Sequence, residues 1–193
     1  MSCRALLIGL LCAGLCAAAP AAGTKKKTTE KKKMETATLA GGCFWGMEAI
    51  LRELPGVEDP VVGYAGGHTE HPTYEQVKTG TTGHAESIQF RFDPARITYA
   101  KILDMFFRMH DPTTPNRQGN DIGTQYRSVI FYHGEAQRKE ALAAVERAKA
   151  SGRWKRPITT EIVPAGKFWP AEEYHQDYLK KHPGGYTCHY IRD

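Results

Sequence analysis

From about residue 35 onward, apolar residues switch repeatedly between the two-residue rhythm of a strand and the 3.6-residue rhythm of a helix. Strand-like runs fall at 35–40, 58–65, 85–92, 125–132 and 158–163, and helix-like runs at 44–54, 99–109, 135–150 and 171–181. There is no internal repeat and no second linker rich in Pro, Gly or Ser. The pattern predicts a single α+β domain with a mixed sheet and flanking helices. A chain of 193 residues with 41% hydrophobic and 24% charged residues is long enough to bury one such core. Local punctuation supports the reading. Pro55-Gly56 stops the first helix, Asp93-Pro94 closes a strand, and Thr98 is placed to cap the helix that carries Ile102, Leu103, Phe106 and Phe107. Two long irregular stretches remain, 66–83 and 110–124, the first broken by a short turn around 74–78. Loops of that length inside one domain usually carry function.

The first residues follow different rules. Arg4 precedes an apolar stretch at 5–19, and Ala19-Pro20-Ala21 offers a small-residue cleavage site, so 1–21 reads as an export signal peptide. The apolar stretch is shorter than the roughly 20 residues a membrane-spanning helix needs, and no stable membrane span is expected. Lipid attachment at Cys12 or Cys16 is disfavoured because a leucine precedes each. A basic spacer, 22–34, contains Lys25 to Lys27 and Lys31 to Lys33 and reads as disordered, with weak association to an anionic envelope as the alternative. These lysines and Arg4, set against Glu30, sum to +6 and so more than account for the formal charge of +5, leaving −1 on the rest of the chain. The domain from 35 to 193 is therefore not basic, and no nucleic-acid partner is expected. The expected location is exported, periplasmic or secreted. Of the five cysteines, Cys3, Cys12 and Cys16 leave with the peptide, and Cys43 and Cys188 remain.

Cys43 lies in Gly41-Gly42-Cys43-Phe44-Trp45-Gly46-Met47-Glu48, behind two glycines and at the mouth of an amphipathic helix marked by Met47, Ile50, Leu51 and Leu54. Unpaired N–H groups of a first helical turn favour an anion by roughly 0.3 to 2 kcal/mol. At about 1.4 kcal/mol per pKa unit this would bring a thiol from near 8.5 to about 7, leaving roughly half of it as thiolate at neutral pH. A buried inert cysteine, or one half of a static disulfide, is the competing reading. In the strand at 85–92, alternation sets Glu86 with Ile88, Phe90 and Phe92. A carboxyl at the edge of a buried face has a raised pKa and becomes a proton donor at neutral pH. If the strand instead starts at Ser87, Glu86 is a solvated loop residue.

Gly42-Cys43-Phe44-Trp45-Gly46 taken with Gly83-His84-Ala85-Glu86 resembles the peptide methionine sulfoxide reductases of type A. So do Gly63-Tyr64-Ala65-Gly66-Gly67, Pro72-Thr73-Tyr74, the run from Asn120 through Asp121 and Tyr126 to Ser128, and Ala171-Glu172-Glu173-Tyr174-His175-Gln176. The resemblance implies a two-layer, ferredoxin-like domain that reduces methionine S-sulfoxide, free or in proteins, to the thioether and so repairs oxidised proteins. It makes Cys43 the nucleophile and Glu86 the proton donor to the sulfoxide oxygen. Tyr74 and Tyr126 match the hydroxyl donors to that oxygen, Phe44 and Trp45 the cradle for the substrate methyl group, and Asp121 a supporting polar residue. Attack leaves a sulfenic acid on Cys43. Cys188, in a tail at 182–193 expected to be mobile, is the candidate to resolve it as a disulfide that a thioredoxin-like donor reduces. No cofactor and no metal is implied, and a monomer is expected.

The chemistry asks for these residue types on its own account. Negative charge on a sulfoxide oxygen grows as the sulfur is attacked, so hydroxyls and an acid aimed at it lower the barrier. Other readings stand beside this one: a noncatalytic binding module that keeps the two cysteines as a staple, and a thiol peroxidase that needs no methyl pocket. His68 and His71, three apart, are a weak metal signal. His84 either shapes its turn or takes part in proton transfer, and Tyr174-His175-Gln176 either packs a last helix or reaches the pocket. Phe168, Trp169 and Trp154 read as core or lid.

Overall fold

Burial on both faces marks the middle of the sheet. In the computed structural model, which describes Met1 and residues 33–193, strand β1 (Glu35–Gly41) is buried from Ala37 to its end. Alternation is visible in a second central strand, Ala85–Phe92, where only Gln89 and Arg91 escape full burial. The elements follow as β1, α1 (Phe44–Arg52), β2 (Val57–Ala65), α2 (Tyr74–Val77), β3 (Ala85–Phe92) and α3 (Tyr99–Met109). A small hairpin of β4 (Arg117–Gln118) and β5 (Asp121–Ile122) comes next, then β6 (Ser128–Tyr132), α4 (Glu135–Ala150), β7 (Glu161–Pro164), β8 (Phe168–Pro170) and α5 (Tyr178–Lys181). The export peptide and most of the basic spacer lie outside the described residues.

The main sheet has the order β7-β6-β1-β3-β2-β8. Every pair is antiparallel except β6 with β7. The connection β1-α1-β2-β3-α3-β6, with β6-β1-β3-β2 side by side, is the ferredoxin-like arrangement, widened at its edges by β7 and β8. Helices α1, α3 and α4 cover one face. Met47, Leu51, Ile102, Leu103 and Phe106 pack there on Leu39, Ile88, Phe90 and Ile130. Ala141, Ala144 and Ala148 are the buried alanines of α4, a small-residue stripe that lets this helix approach closely. Thr98 caps α3 as expected, its hydroxyl accepting from the Lys101 N–H at 3.3 Å. Among the described residues no helix is long and apolar enough to cross a membrane.

Four expected elements come out shorter, the helix expected at 44–54 by only its last two residues, since it ends at Arg52. The strand expected at 125–132 begins at Ser128, because Gly123 has φ 145° and Thr124–Tyr126 form a 3₁₀ turn. The strand expected at 158–163 begins at Glu161. The helix expected at 171–181 is reduced to Tyr178–Lys181, preceded by turns. Its first half is spent elsewhere. The Gln176 amide bonds both the N–H and the C=O of Val62, each at 2.9 Å, and Asp177 takes a left-handed conformation at φ 55°. Side chains that complete a sheet edge hold the backbone in turns that periodicity does not reveal.

Candidate active site

Strand β1 delivers Cys43 to its position. Gly41 pairs with Ser128 at the end of the strand, Gly42 turns the chain at φ 104°, and Cys43 becomes the N-cap of α1. A Cβ on Gly42 would sit 2.6 Å from Cγ of Gln118. That side chain cannot easily yield, since its amide accepts from the Asp111 N–H at 3.0 Å and donates to the Asp111 carbonyl at 3.1 Å. The double glycine therefore serves close approach as well as the turn. Cys43 is only 6% exposed.

That burial reverses the expected acidity. Desolvation, then the nearby Glu86 carboxylate, pushes the Cys43 thiol far above the ordinary range, and the Trp45 backbone N–H offsets only part of this. The helix-end effect is worth at most about 2 kcal/mol, whereas a fully buried group shifts by as much as several pKa units. In the unliganded site Cys43 is a thiol, not a half-formed thiolate.

Glu86 lies within β3, opposite Tyr64 on β2, and is 2% exposed. The solvated-loop alternative is therefore wrong. Its Oε2 accepts from the Phe44 N–H at 3.2 Å, so the carboxyl sits against the first turn of α1. Burial, with a smaller contribution from Asp121, lifts its pKa to about 8 despite that hydrogen bond. At neutral pH it is mostly protonated, a donor held beside the thiol.

Both long loops feed this spot. A cavity of about 110 Å³ is lined by Cys43, Phe44, Trp45, Tyr74, Glu86, Asp121, Tyr126 and Tyr186. Tyr74 opens α2 in the stretch between β2 and β3, Asp121 comes from the β4–β5 hairpin, and Tyr126 from the turn before β6. Burial and the Glu86 charge raise the pKa of both Tyr74 and Tyr126, which keeps them as hydroxyl donors. One Asp121 oxygen accepts from the Tyr186 hydroxyl at 3.0 Å, and the carboxylate also faces the Cys188 thiol.

The aromatic wall is braced from behind. The Trp45 indole N–H donates to Nδ1 of His175 at 3.1 Å, and its ring stacks on Tyr178 with centroids 3.7 Å apart. His175 also lies against Phe44 and Tyr74, so Tyr174-His175-Gln176 supports the pocket. Glu172 ties the same region together, accepting from the Tyr74 N–H at 2.8 Å and the Tyr64 hydroxyl at 2.9 Å. His84 is outside the cavity. It accepts from the Gly67 N–H and bonds the Thr69 carbonyl, which makes it a turn residue. Trp154 packs against the main core. Phe168 and Trp169 belong to β8, and His71 lies against Trp169. Among the described residues no group of three His, Cys, Asp or Glu is placed to share a metal ion.

Cys188 packs on the cluster of Cys43, Phe44 and Val62, and both cysteines are free thiols. Burial first, then Asp121, pushes Cys188 up to about 12, and the Cys43 backbone N–H opposes the rise. Its tail has no regular structure beyond Lys181 but is fastened: His189 Nε2 bonds the Gly41 carbonyl at 2.8 Å, and the Arg192 N–H donates to the Arg108 carbonyl at 2.9 Å. The sequence reading did not assign Tyr186, Glu172 or His189 to the site. Tyr186, two residues before Cys188 in an extended tail, was the most legible of them.

One thiol in a cavity with proton donors, and a second thiol packed on the cluster behind it, suit two-electron chemistry at sulfur, and on this scaffold they define a thiol-based oxidoreductase. Residues 35–193 match the family described as peptide methionine sulfoxide reductase, and the chain belongs to that family. It is 56% identical over 155 residues to the peptide methionine sulfoxide reductase MsrA of Methanoculleus marisnigri, covering 80% of this chain and 94% of that protein. Among solved structures it is similar to Mxr1 from Saccharomyces cerevisiae in reduced form, with TM-score 0.79 and 42% identity, covering 85% of this chain and 95% of that one. It is also similar to Mxr1 in complex with Trx2, with TM-score 0.58 and 32% identity, covering 86% and 97%.

Proposed function

We propose that the enzyme reduces the S epimer of methionine sulfoxide in peptides and proteins, with Cys43 as nucleophile and Glu86 as proton donor. The observation that carries this is the meeting of Cys43, Glu86, Tyr74 and Tyr126 in one small cavity walled by Phe44 and Trp45. The sulfoxide methyl group packs against the aromatic pair by dispersion, while its oxygen accepts from the two phenols and the carboxyl. As Cys43 Sγ bonds to the sulfoxide sulfur, the Glu86 proton passes to the oxygen, and the thiol proton returns Glu86 to its neutral form. The S–O bond then breaks, the hydroxyl moves to Cys43 as a sulfenic acid, and the thioether leaves. The thiol proton replaces the one Glu86 gives to the oxygen, so no proton has to come from outside the site.

Cys188 then condenses with the sulfenic acid to a Cys43–Cys188 disulfide and water, and an external dithiol reduces that bond. The likeness to the Trx2 complex of Mxr1 supports a thioredoxin-like donor. The apolar leader and lysine-rich spacer support action outside the cytoplasm, in the periplasm or medium. The test is turnover by the mature protein with dithiothreitol on each separate epimer of a methionine sulfoxide peptide. Consumption of the S epimer alone supports the reading. Equal use of both, or consumption of hydrogen peroxide but of neither epimer, contradicts it.

A further inference from the structure

His189 follows Cys188 directly and sits between the two sulfur-bearing segments. It is 6% exposed, and Nε2 lies 2.8 Å from the Gly41 carbonyl, which only accepts. The ring hydrogen is therefore on Nε2, and Nδ1 is left with a lone pair. That lone pair faces Cys188 Sγ at 3.4 Å. The tail is seated against α1 at the same place: a Cβ on Gly46 would fall 2.3 Å from Thr187 Oγ1 and 2.6 Å from His189 Nδ1. A hydrogen bond from the His189 N–H to Thr187 Oγ1, at 3.0 Å, sets the local bend.

From this geometry we infer that His189 is the proton acceptor for Cys188 in the recycling half of the reaction, its tautomer fixed by the Gly41 carbonyl. The inference rests on the reading in which Cys188 resolves a Cys43 sulfenic acid. In that step the Cys188 proton moves to His189 Nδ1 as the new S–S bond forms and the Cys43 S–O bond breaks. The departing oxygen takes the proton of Glu86 and leaves as water, and His189 returns its proton to the Glu86 carboxylate through solvent. Cys188 sulfur is oxidised, the sulfenic sulfur is reduced, and no other reactant is required.

The surroundings make an acceptor necessary and keep this one in its neutral, unprotonated form. Cys188 is held up to about 12, so almost none of it is thiolate at neutral pH. Burial and Arg192 hold His189 down, at about 4, with only the Gly41 bond opposing, so the ring is neutral throughout the physiological range. His110 is the other imidazole near it. It is fully buried and both its ring nitrogens are engaged, by the Phe106 carbonyl and the Ser128 hydroxyl, so it has no nitrogen left for the proton. The Asp121 carboxylate is the other acceptor that faces Cys188, within hydrogen-bonding reach of the thiol, and it is the rival the experiment must exclude.

The experiment compares wild type, His189→Asn and Cys188→Ser, each reacted with one equivalent of a methionine-S-sulfoxide peptide without reductant. Methionine formation reads the first step; trapping of the Cys43 sulfenic acid with dimedone and loss of free thiols read the second. His189→Asn removes the base, and the expected result is sulfenic acid that decays about 100-fold more slowly at pH 7; His189→Gln, whose amide reaches the Nε2 position, also keeps a donor for Gly41. The wild-type decay should be flat from pH 5 to 8, whereas the variant should accelerate with pH as Cys188 thiolate takes over. Resolution by His189→Asn at the wild-type rate across that range overturns the inference. So does an equal loss in both steps, which would make His189 a prop for Gly41, or slowing by Asp121→Asn with none by His189→Asn. His189→Gln gives the same readings should the Asn variant not fold. If Cys188→Ser shows no trapped sulfenic acid and recycles normally with thioredoxin, the recycling reading itself fails, an outcome separate from failure of His189→Asn alone.

Discussion

The two cysteines, which the proposed function gives one redox task, are held in opposite ways. Cys43 is fixed by regular structure on both sides, with strand β1 paired to β3 and β6 behind it and helix α1 ahead. Cys188 lies in a stretch without helix or strand, held by separate bonds such as His189 to Gly41 and the exchange between Arg108 and Arg192. Sulfoxide reduction needs donors placed to within fractions of an ångström, and the sheet supplies that precision. Recycling needs a sulfur that closes on Cys43 and then presents the bond to a partner. A tail on a few side-chain anchors can detach without unfolding the core.

Variants can break this contrast, the largest effect first. Cys43→Ser should abolish methionine formation, even a single turnover, while leaving the tail in place. Glu86→Gln should lower the single-turnover rate by roughly 10² to 10³, the cost of losing one pre-placed donor. Wild-type single-turnover rates should fall as pH rises through about 8, where Glu86 loses its proton, and the variant should lack that limb. Stopped-flow mixing with an S-sulfoxide peptide measures both.

Gly46→Ala probes the other region. The added methyl displaces Thr187 and His189, so disulfide formation should slow by about tenfold with little change in the first step, as followed by loss of free thiols. A separate effect concerns stability. Because folding raises the Glu86 pKa above its ordinary value near 4.5 to about 8, the carboxyl's stability relative to its ionised form is fully present below 4.5. It is lost as pH rises to 8. Glu86→Gln should therefore gain thermal stability over wild type at pH 8 to 9 compared with pH 4, as thermal melts across that range would show.

The same contrast decides what could be read from the sequence. Helices α3 and α4 have the boundaries expected at 99–109 and 135–150, since a cap at Thr98 and apolar spacing are local signals. Glu86 was readable as a face-sharing acid because strand alternation is local too. The acidity of Cys43 was not, because the helix end is written in neighbouring residues while the desolvation that overrides it comes from the whole fold. The short α5 and the late start of β6 have the same origin. Gln176 is spent on Val62, and the buried Gln125 reaches the Lys78 carbonyl at 3.3 Å. His189 escaped notice because its importance lies in Gly41, 148 residues away.

The most direct test of a fixed chemical centre served by a detachable recycler is a burst experiment on Cys188→Ser with excess S-sulfoxide peptide and no reductant. The account predicts one methionine per enzyme, formed at the wild-type rate, followed by arrest even after thioredoxin is added. No burst, or continued turnover with thioredoxin, would contradict it.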